Sequence, residues 1–266
     1  MSQTSLTRRA ALMASAGLAA ATTTTPVAAQ AARKTFVLVH GAYHGGWCWK
    51  FVAEALEAKG HKVYAPSLTG NGDRTHMLSN TLTLDMQAAD ISNLIKFEDL
   101  KNVCLVAHSF GGWPASVALE AIADRVSSLV MVDAFMPNNG EKSADYISEF
   151  SRKAMEEAIA KGEAGRTPPP AKTYSITEKH YAWIESKLTP QPNSIAFNTV
   201  TLTGKRETIA KKTYIRAPKY PQASFDKAYE ACKANASWQT FVVEDSGHDV
   251  MVDKPEWLTD LLLKVS

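Results

Sequence analysis

The run VCLVAHSFGG constrains the fold of this chain more than any other part of its sequence. Ser109 follows an apolar stretch, 103–107, that is typical of a buried strand, and it precedes two glycines and a helix-compatible segment, 114–122. The run matches the pattern G-x-S-x-G, with Ala107 in place of the first glycine. Such a tight strand-to-helix turn needs small residues on both sides and holds its serine hydroxyl in an exposed position. Ser109 is therefore the candidate nucleophile, although the pentapeptide alone also fits an ordinary turn.

Residues 1–31 have the pattern of an export signal. Arg8 and Arg9 precede an apolar run, 10–21, that is too short to span a bilayer, and small residues with an A-x-A-like cleavage site end the segment. The paired arginines predict the twin-arginine route, with an ordinary secretory signal or a retained anchor as the alternatives. We therefore expect a periplasmic or secreted protein with no stable membrane association once the signal is removed.

The charge balance of the remaining chain excludes several classes of partner. Without the two signal arginines, the chain has 27 basic and 27 acidic residues. This neutral balance predicts no nucleic-acid or anionic-membrane partner. The three cysteines are widely spaced and have no metal-ligand spacing, so no metal site is predicted.

Alternating strand and helix patterns predict a single α/β domain over residues 32–266. Apolar runs that indicate buried strands lie at 34–40, 61–65, 103–107, 126–132, 213–216 and 239–244. Helical patterns lie at 49–59, 84–97, 114–122, 224–234 and 256–265. This alternation is typical of a mostly parallel sheet with helices on both faces.

The alternation weakens at about 136–212. A helical pattern at 143–161 is followed by three consecutive prolines, which cannot continue a helix, and then by an aromatic stretch. We predict that this segment is a cap inserted between two strands of the sheet.

A serine hydroxyl becomes a good nucleophile only when a neighbouring base takes its proton. The best candidate for this base is His248, which follows a strand and precedes the last helix. Developing negative charge on the substrate needs backbone donors, and we expect the amides of Ala42 and Phe110 to form this oxyanion hole. His40 ends the first strand, and we expect it to brace the adjacent loop.

Several segments together resemble one branch of the α/β hydrolases, that of the hydroxynitrile lyases and plant methyl-salicylate esterases, and particularly its bacterial esterase members. The segments are FVLVHGAYHGGWCWKFVAEAL, APSLTGNGDRTHML, LVAHSFGGWPA, LVMVDAFMPNNG, LTPQPNSIAF and SGHD. The resemblance implies the α/β-hydrolase fold, with a helical cap inserted after the sixth strand over an apolar pocket. It also implies ester hydrolysis through an acyl-serine intermediate, without a cofactor.

Two positions separate esterases from lyases within this branch. The lyases place threonine after the histidine of the first loop and lysine beside the catalytic histidine. Gly41 and Asp249 occupy those positions here. Both departures favour the esterase.

The acid of the triad departs from the pattern of the family. Relatives carry it after the strand that corresponds to 213–216, but this chain reads Ala-Pro-Lys-Tyr there, at 217–220. A triad still needs a group that orients the imidazole. We predict that Asp133, at the end of the strand after the elbow helix, is this acid, with Asp226 or a Ser-His dyad as the alternatives.

The sequence thus predicts a serine hydrolase that cleaves carboxylic esters of small, hydrophobic substrates. The alternatives are a lactonase with the same triad, a C–C lyase of the hydroxynitrile-lyase type, and a non-catalytic ligand-binding homologue. We expect a small-molecule ester or lactone as the partner and a monomer or homodimer as the assembly.

Overall fold

A computed structural model describes residues 33–266, so the predicted export signal at 1–31 lies outside the described residues. The strands, in chain order, are β1 (Thr35–Val39), β2 (Lys62–Tyr64), β3 (Val103–His108), β4 (Val126–Val132), β5 (Gly165–Arg166), β6 (Gln191–Pro192), β7 (Lys211–Arg216) and β8 (Trp238–Val242). The α-helices are α1 (Lys50–Ala58), α2 (Leu84–Phe97), α3 (Gly112–Ile122), α4 (Glu149–Ala160), α5 (Tyr181–Glu185), α6 (Ala223–Lys233), α7 (Val250–Asp253) and α8 (Pro255–Val265).

Six strands form one sheet in the order β2-β1-β3-β4-β7-β8, and every neighbouring pair is parallel. The remaining two strands, β5 and β6, pair antiparallel with each other. The predicted parallel sheet between layers of helices is confirmed. Because parallel strands all end at the same edge, the loops after β1, β3, β4, β7 and β8 meet there.

The core has two halves, one on each face of the sheet. Alternate residues of β1 show the division, since Phe36 and Leu38 pack with α1 and α8 while Val37 and Val39 pack with α2 and α3. Both sets are fully buried. Burial on both faces explains why the strands read as continuous apolar runs in the sequence.

The segment between β4 and β7 contains α4, α5, the β5–β6 pair and several short 3-10 helices. The resemblance predicts this insertion after a sixth strand. Within residues 33–266 the insertion follows β4, the fourth strand. The count starts at β1 (Thr35–Val39), which is the first strand in this part of the chain.

The helix predicted over 143–161 is divided into a 3-10 turn, Ser143–Tyr146, and α4. Ser148 has an extended backbone, and its hydroxyl accepts a hydrogen bond from the Ser151 amide (3.1 Å). A serine in this role is a helix N-cap, which starts a new helix at the next residue.

Two further features of residues 33–266 bear on the expectations from sequence. Cys48, Cys104 and Cys232 are buried and free. None of the helices described is both long and apolar enough to cross a membrane.

We expect Gly112→Ala to destabilise the fold, because a Cβ at this position would lie 2.0 Å from the Phe135 carbonyl oxygen. Relieving that clash requires backbone movement, and we expect a loss of more than about 2 kcal/mol in the free energy of unfolding. The loss outweighs the roughly 1 kcal/mol that alanine gains over glycine inside a helix. Urea denaturation of both proteins measures the difference.

Gly162→Ala is the matched control. Gly162 has a φ of 85°, but a Cβ there would meet no atom within 4 Å. The control therefore incurs only the left-handed backbone cost of about 1 kcal/mol. If both variants lost the same free energy of unfolding, the backbone around Gly112 would be able to move without cost, and the predicted clash would be wrong.

Candidate active site

The candidate residues come together because neighbouring strands end in register. His108 pairs with Val132, and Val132 pairs with Ile215. The next residues along these strands, Ser109, Asp133 and Arg216, therefore lie side by side at the ends of three adjacent strands. His248 arrives from the loop after β8, at the same edge of the sheet.

A continuous chain of hydrogen bonds links three of the predicted residues. His248 Nε2 lies 2.8 Å from Ser109 Oγ, and His248 Nδ1 lies 2.6 Å from Asp133 Oδ2. All three residues are buried. A carboxylate can only accept a hydrogen bond, so Nδ1 carries the proton and Nε2 faces the serine as an acceptor.

Asp133 is bound at both carboxylate oxygens. Its Oδ1 accepts hydrogen bonds from Arg216 Nη1 (2.8 Å) and from the Ala217 amide (3.1 Å), which leaves Oδ2 for His248. Asp226, the alternative acid, accepts from Arg216 Nε instead (2.8 Å). Its side chain is 61% exposed, on the outer side of the guanidinium, and it has no hydrogen bond with His248. The structure thus brings Asp133 to the imidazole and leaves Asp226 at the surface.

Three non-glycine residues at this edge adopt left-handed backbone conformations. The φ angles are 53° at Ser109, 44° at Asp133 and 67° at Tyr43. Such conformations cost about 1–3 kcal/mol each and persist where the surrounding structure enforces them. At Ser109, the conformation is that of a sharp turn between β3 and α3, as the elbow pattern predicts.

The loop after β1 lies directly against the elbow. A Cβ at Gly41 would be 2.7 Å from Ser109 Cβ, so only glycine allows this approach. Ala42 and Phe110, the predicted oxyanion residues, line the same cavity as Ser109. Phe110 lies at the start of a helical turn, where backbone N–H groups have no intrahelical acceptor.

His40 braces this loop. Its Nε2 accepts a hydrogen bond from the Leu68 amide (2.9 Å), so its proton is on Nδ1, which donates to the Gly41 carbonyl oxygen (2.7 Å). Burial lowers the pKa of His40 to about 4, which keeps the ring neutral. Because a peptide's C=O and N–H point in opposite directions, this bond also sets the direction of the Ala42 N–H.

His44 and Asp249 form a buried pair beside the site. His44 Nδ1 donates to the Ala42 carbonyl oxygen (2.8 Å), and His44 Nε2 lies 3.2 Å from Asp249 Oδ2. Burial alone would lower the pKa of His44, but the Asp249 carboxylate raises it above its usual value. Burial opposes ionisation of Asp249, yet its histidine neighbours hold its pKa at about 2. Below the raised pKa of His44 the two groups form an ion pair, and His44 Nδ1 fixes the peptide after Ala42.

Ser109 and His248 lie in a cavity of about 280 Å³ between the strand ends and the cap. Its apolar lining includes Phe135, Ile147, Met155, Ala196 and Phe225. Arg166, at the end of β5, also lines it.

Sequence reasoning missed three contributors to this site. Arg216, which neutralises Asp133, and the His44–Asp249 pair had no recognisable sequence signal. Tyr220 did have one, because it stands in the segment where relatives carry the acid. Its ring stacks on the His248 imidazole, with the centroids 4.2 Å apart and the planes at 24°.

The parallel sheet and the strand–turn–helix that carries Ser109 are those of an α/β hydrolase. Residues 36–261 match the model of the α/β hydrolase family, and the chain belongs to this family. The resemblance stated from sequence is confirmed.

The relatives define the class of hydrolase. The chain is 32% identical over 240 residues to a carbendazim-hydrolyzing esterase of Nocardioides sp. (strain SG-4G), covering 85% of this chain and 97% of that protein. It is 28% identical over 251 residues to methylesterase 9 of Arabidopsis thaliana, covering 88% and 98%. The fold of an extracellular α/β-hydrolase from a Paenibacillus species matches with a TM-score of 0.75 at 24% identity, covering 88% and 99%. The chain is a carboxylesterase-type hydrolase.

We expect Asp249→Asn to destabilise the protein more at pH 5.5 than at pH 9. Because the folded-state pKa of His44 is raised, its stabilisation is complete below the unfolded value of about 6.5 and is lost as pH rises through the folded value. Asp249 stays ionised throughout this range. Removing one partner of a buried ion pair costs about 3–5 kcal/mol while the other is charged, so we expect a loss of this size at pH 5.5. Urea denaturation at both pH values measures it.

Asp245→Asn is the control for this comparison. Asp245 pairs with Lys254 at the surface, so this pair contains no histidine. Its effect on stability should be small and the same at both pH values. A pH-independent effect of Asp249→Asn would rule out the His44–Asp249 ion pair.

Proposed function

We propose that this protein hydrolyses carboxylic esters of small substrates through an acyl-serine intermediate. Ser109 is the nucleophile, His248 the general base and acid, and Asp133 the acid of the triad. The hydrogen-bonded chain from Ser109 through His248 to Asp133, with distances of 2.8 and 2.6 Å, carries this proposal. The esterase relatives support it independently.

In the acylation step, Ser109 Oγ attacks the acyl carbon and His248 Nε2 takes the hydroxyl proton. The tetrahedral intermediate then collapses, and His248 gives that proton to the departing alcohol. In deacylation, His248 takes a proton from water, whose oxygen attacks the acyl-serine. The acid is released and the proton returns to Ser109.

Asp133 stabilises the imidazolium that forms twice in each cycle. The carboxylate meets the Nδ1 proton at 2.6 Å, while the bonds from Arg216 and the Ala217 amide prevent it from rotating. The fixed carboxylate holds the ring in the tautomer that presents Nε2 to the serine.

The amides of Ala42 and Phe110 are the proposed oxyanion donors. The close approach of Gly41 to Ser109 supports this role for Ala42, as does the bond from His40 that turns the Gly41 carbonyl aside. Donors that are fixed before the reaction stabilise the developing charge without reorganising, and each contributes about 3 kcal/mol in comparable sites.

The lining and the size of the cavity favour a small ester or lactone with an apolar body. A volume of about 280 Å³ is just below the roughly 300–1,000 Å³ that is usual for sites that take small molecules. A lyase of the hydroxynitrile type is disfavoured at Gly41, because a threonine Cβ there would lie 2.7 Å from Ser109 Cβ. Assaying cyanide release from mandelonitrile tests that alternative.

We also propose that the protein is exported, on the basis of the paired arginines and the short apolar run in residues 1–31. N-terminal sequencing of protein from the periplasm or culture medium should find the chain beginning near residue 32. An intact N-terminus on cytoplasmic protein would contradict this proposal.

Asp133→Asn should lower kcat by about 10³- to 10⁴-fold, since the imidazole loses the partner that sets its tautomer. Asp226→Asn should leave kcat nearly unchanged, because Asp226 contacts only the outer edge of Arg216. Hydrolysis of aryl, short-chain alkyl and lactone substrates by the mature chain measures both effects. The opposite ranking would assign the acid to Asp226.

A fluorophosphonate probe tests the nucleophile without knowledge of the substrate. We expect one covalent adduct, located at Ser109 by peptide mass spectrometry, and no adduct in Ser109→Ala. Folded protein that stays unlabelled would contradict the proposed mechanism and favour a ligand-binding homologue.

A further inference from the structure

Arg166 is a cation within the substrate cavity. It lies at the end of β5, the cap strand that pairs with β6, and its side chain is half-buried. It lines the cavity of about 280 Å³ that contains Ser109. It also lines an adjoining cavity of about 440 Å³ beneath α4. Arg166 therefore stands where the two cavities meet.

The guanidinium of Arg166 has no ionic partner within residues 33–266. Arg166 Nε donates to the Tyr43 hydroxyl (3.1 Å), and Nη1 donates to the Pro192 carbonyl oxygen (3.1 Å) and lies 3.8 Å from Met155 Sδ. The guanidinium carbon lies 5.6 Å from the centroid of the Tyr43 ring. All these partners are neutral. They orient the guanidinium but leave its charge uncompensated, and Nη2 donates no hydrogen bond in the part of the chain described.

Arg216, which is buried at the strand ends, shows the usual arrangement. Arg216 pairs with the carboxylates of Asp133 and Asp226, each at 2.8 Å. A charge removed from water is normally paired in this way. Arg166 differs because its guanidinium borders the two cavities and has no carboxylate partner among residues 33–266.

Within residues 33–266, no other group that lines the cavity around Ser109 provides a negative charge for Arg166 to pair with. No carboxylate side chain is among the described residues that line it. Its histidines are His44, which pairs with Asp249, His108, and the base His248. Glu163 borders only the adjoining cavity and is exposed to solvent. A negatively charged group on a ligand in this cavity would therefore pair with Arg166.

We propose that Arg166 binds a free carboxylate on the substrate, so that the preferred substrates are esters that carry a second, unesterified carboxyl group. The inference rests on the proposed function and deepens it. The ester group lies at Ser109, the apolar body contacts residues such as Phe135 and Met155, and the carboxylate reaches the guanidinium. A planar carboxylate matches the donor geometry of arginine, and charge-assisted hydrogen bonds of this kind are about twice as strong as neutral ones.

Binding to Ser109→Ala tests this proposal without requiring turnover. The ligands are monomethyl esters of linear dicarboxylic acids of increasing length, each compared with the neutral amide of the same shape. Titration calorimetry should show that the best-fitting half-ester binds at least about tenfold more tightly than its amide, a difference of about 1.4 kcal/mol. Equal binding of half-ester and amide at every length would overturn the proposal.

Substitutions at Arg166 separate recognition of charge from bracing of the cap. In the Ser109→Ala background, Arg166→Gln should abolish the preference by weakening the half-ester at least about tenfold more than the amide, and Arg166→Lys should retain part of the preference. Arg152→Gln is the control, because it removes a cation from α4 that lines neither cavity. If Arg166→Gln weakened both ligands equally, the role of Arg166 would be structural and the proposal would be wrong.

Turnover by protein with Ser109 intact distinguishes this proposal from the proposed function. Arg166→Gln should raise KM for the half-ester at least about tenfold more than it raises KM for the amide-bearing ester. Selective binding of half-esters without hydrolysis of any ester would support the role of Arg166 and contradict the proposed function. Hydrolysis of both esters with equal efficiency would do the reverse.

Discussion

The buried carboxylate of Asp133 is the group on which the arrangement at the strand ends depends. A carboxylate withdrawn from water remains ionised only where paired charge and hydrogen bonds offset its lost hydration. Arg216 and the Ala217 amide provide this at one oxygen, which leaves the other for His248. Since β7 lies next to β4, the register of the sheet itself delivers the compensating charge. Asp133 can stand at the end of β4 because Arg216 ends the neighbouring strand β7 and pairs with it.

The turn at 217–220, after β7, carries no carboxylate, but aromatic rings from this turn and from α6 pack on the imidazole. Tyr220 and Phe225 lie nearly parallel to the His248 ring, with centroids 4.2 and 5.5 Å away. Asp133 binds the edge of the ring and fixes its tautomer, while the aromatic rings restrict its plane. The negative face of an aromatic ring also favours a cation above it, so this packing complements the imidazolium that forms during the proposed reaction.

Local sequence patterns predicted most elements of the fold, because short buried strands and amphipathic helices have distinct periodicities. The helix at 84–97 and the strand at 126–132 have the predicted bounds, whereas the helix at 143–161 is interrupted where the Ser148 side chain caps a new one. The position of Asp133 beside the imidazole was predictable, because Asp133 directly follows β4, the strand next to β3 and the elbow. Arg216 and the His44–Asp249 pair were not, since no motif marks them and each acts through a partner at least 83 residues away in the chain. Such contacts depend on strand order and register, which one sequence does not display.

Tyr43 connects the two parts of the molecule that the proposed chemistry requires. Its carbonyl oxygen accepts from the Thr189 amide (2.9 Å), its amide donates to Gln191 Oε1 (2.9 Å), and its hydroxyl accepts from Arg166. All three partners belong to the cap, while Tyr43 itself follows Ala42 in the loop after β1. Tyr43 adopts a left-handed backbone conformation although it is not glycine, and the hydrogen bonds of its amide and carbonyl enforce this conformation. A displacement of the cap would therefore shift the loop that holds the Ala42 amide. The tyrosine that binds Arg166 thus ties the proposed substrate recognition in the cap to the proposed charge stabilisation at Ala42.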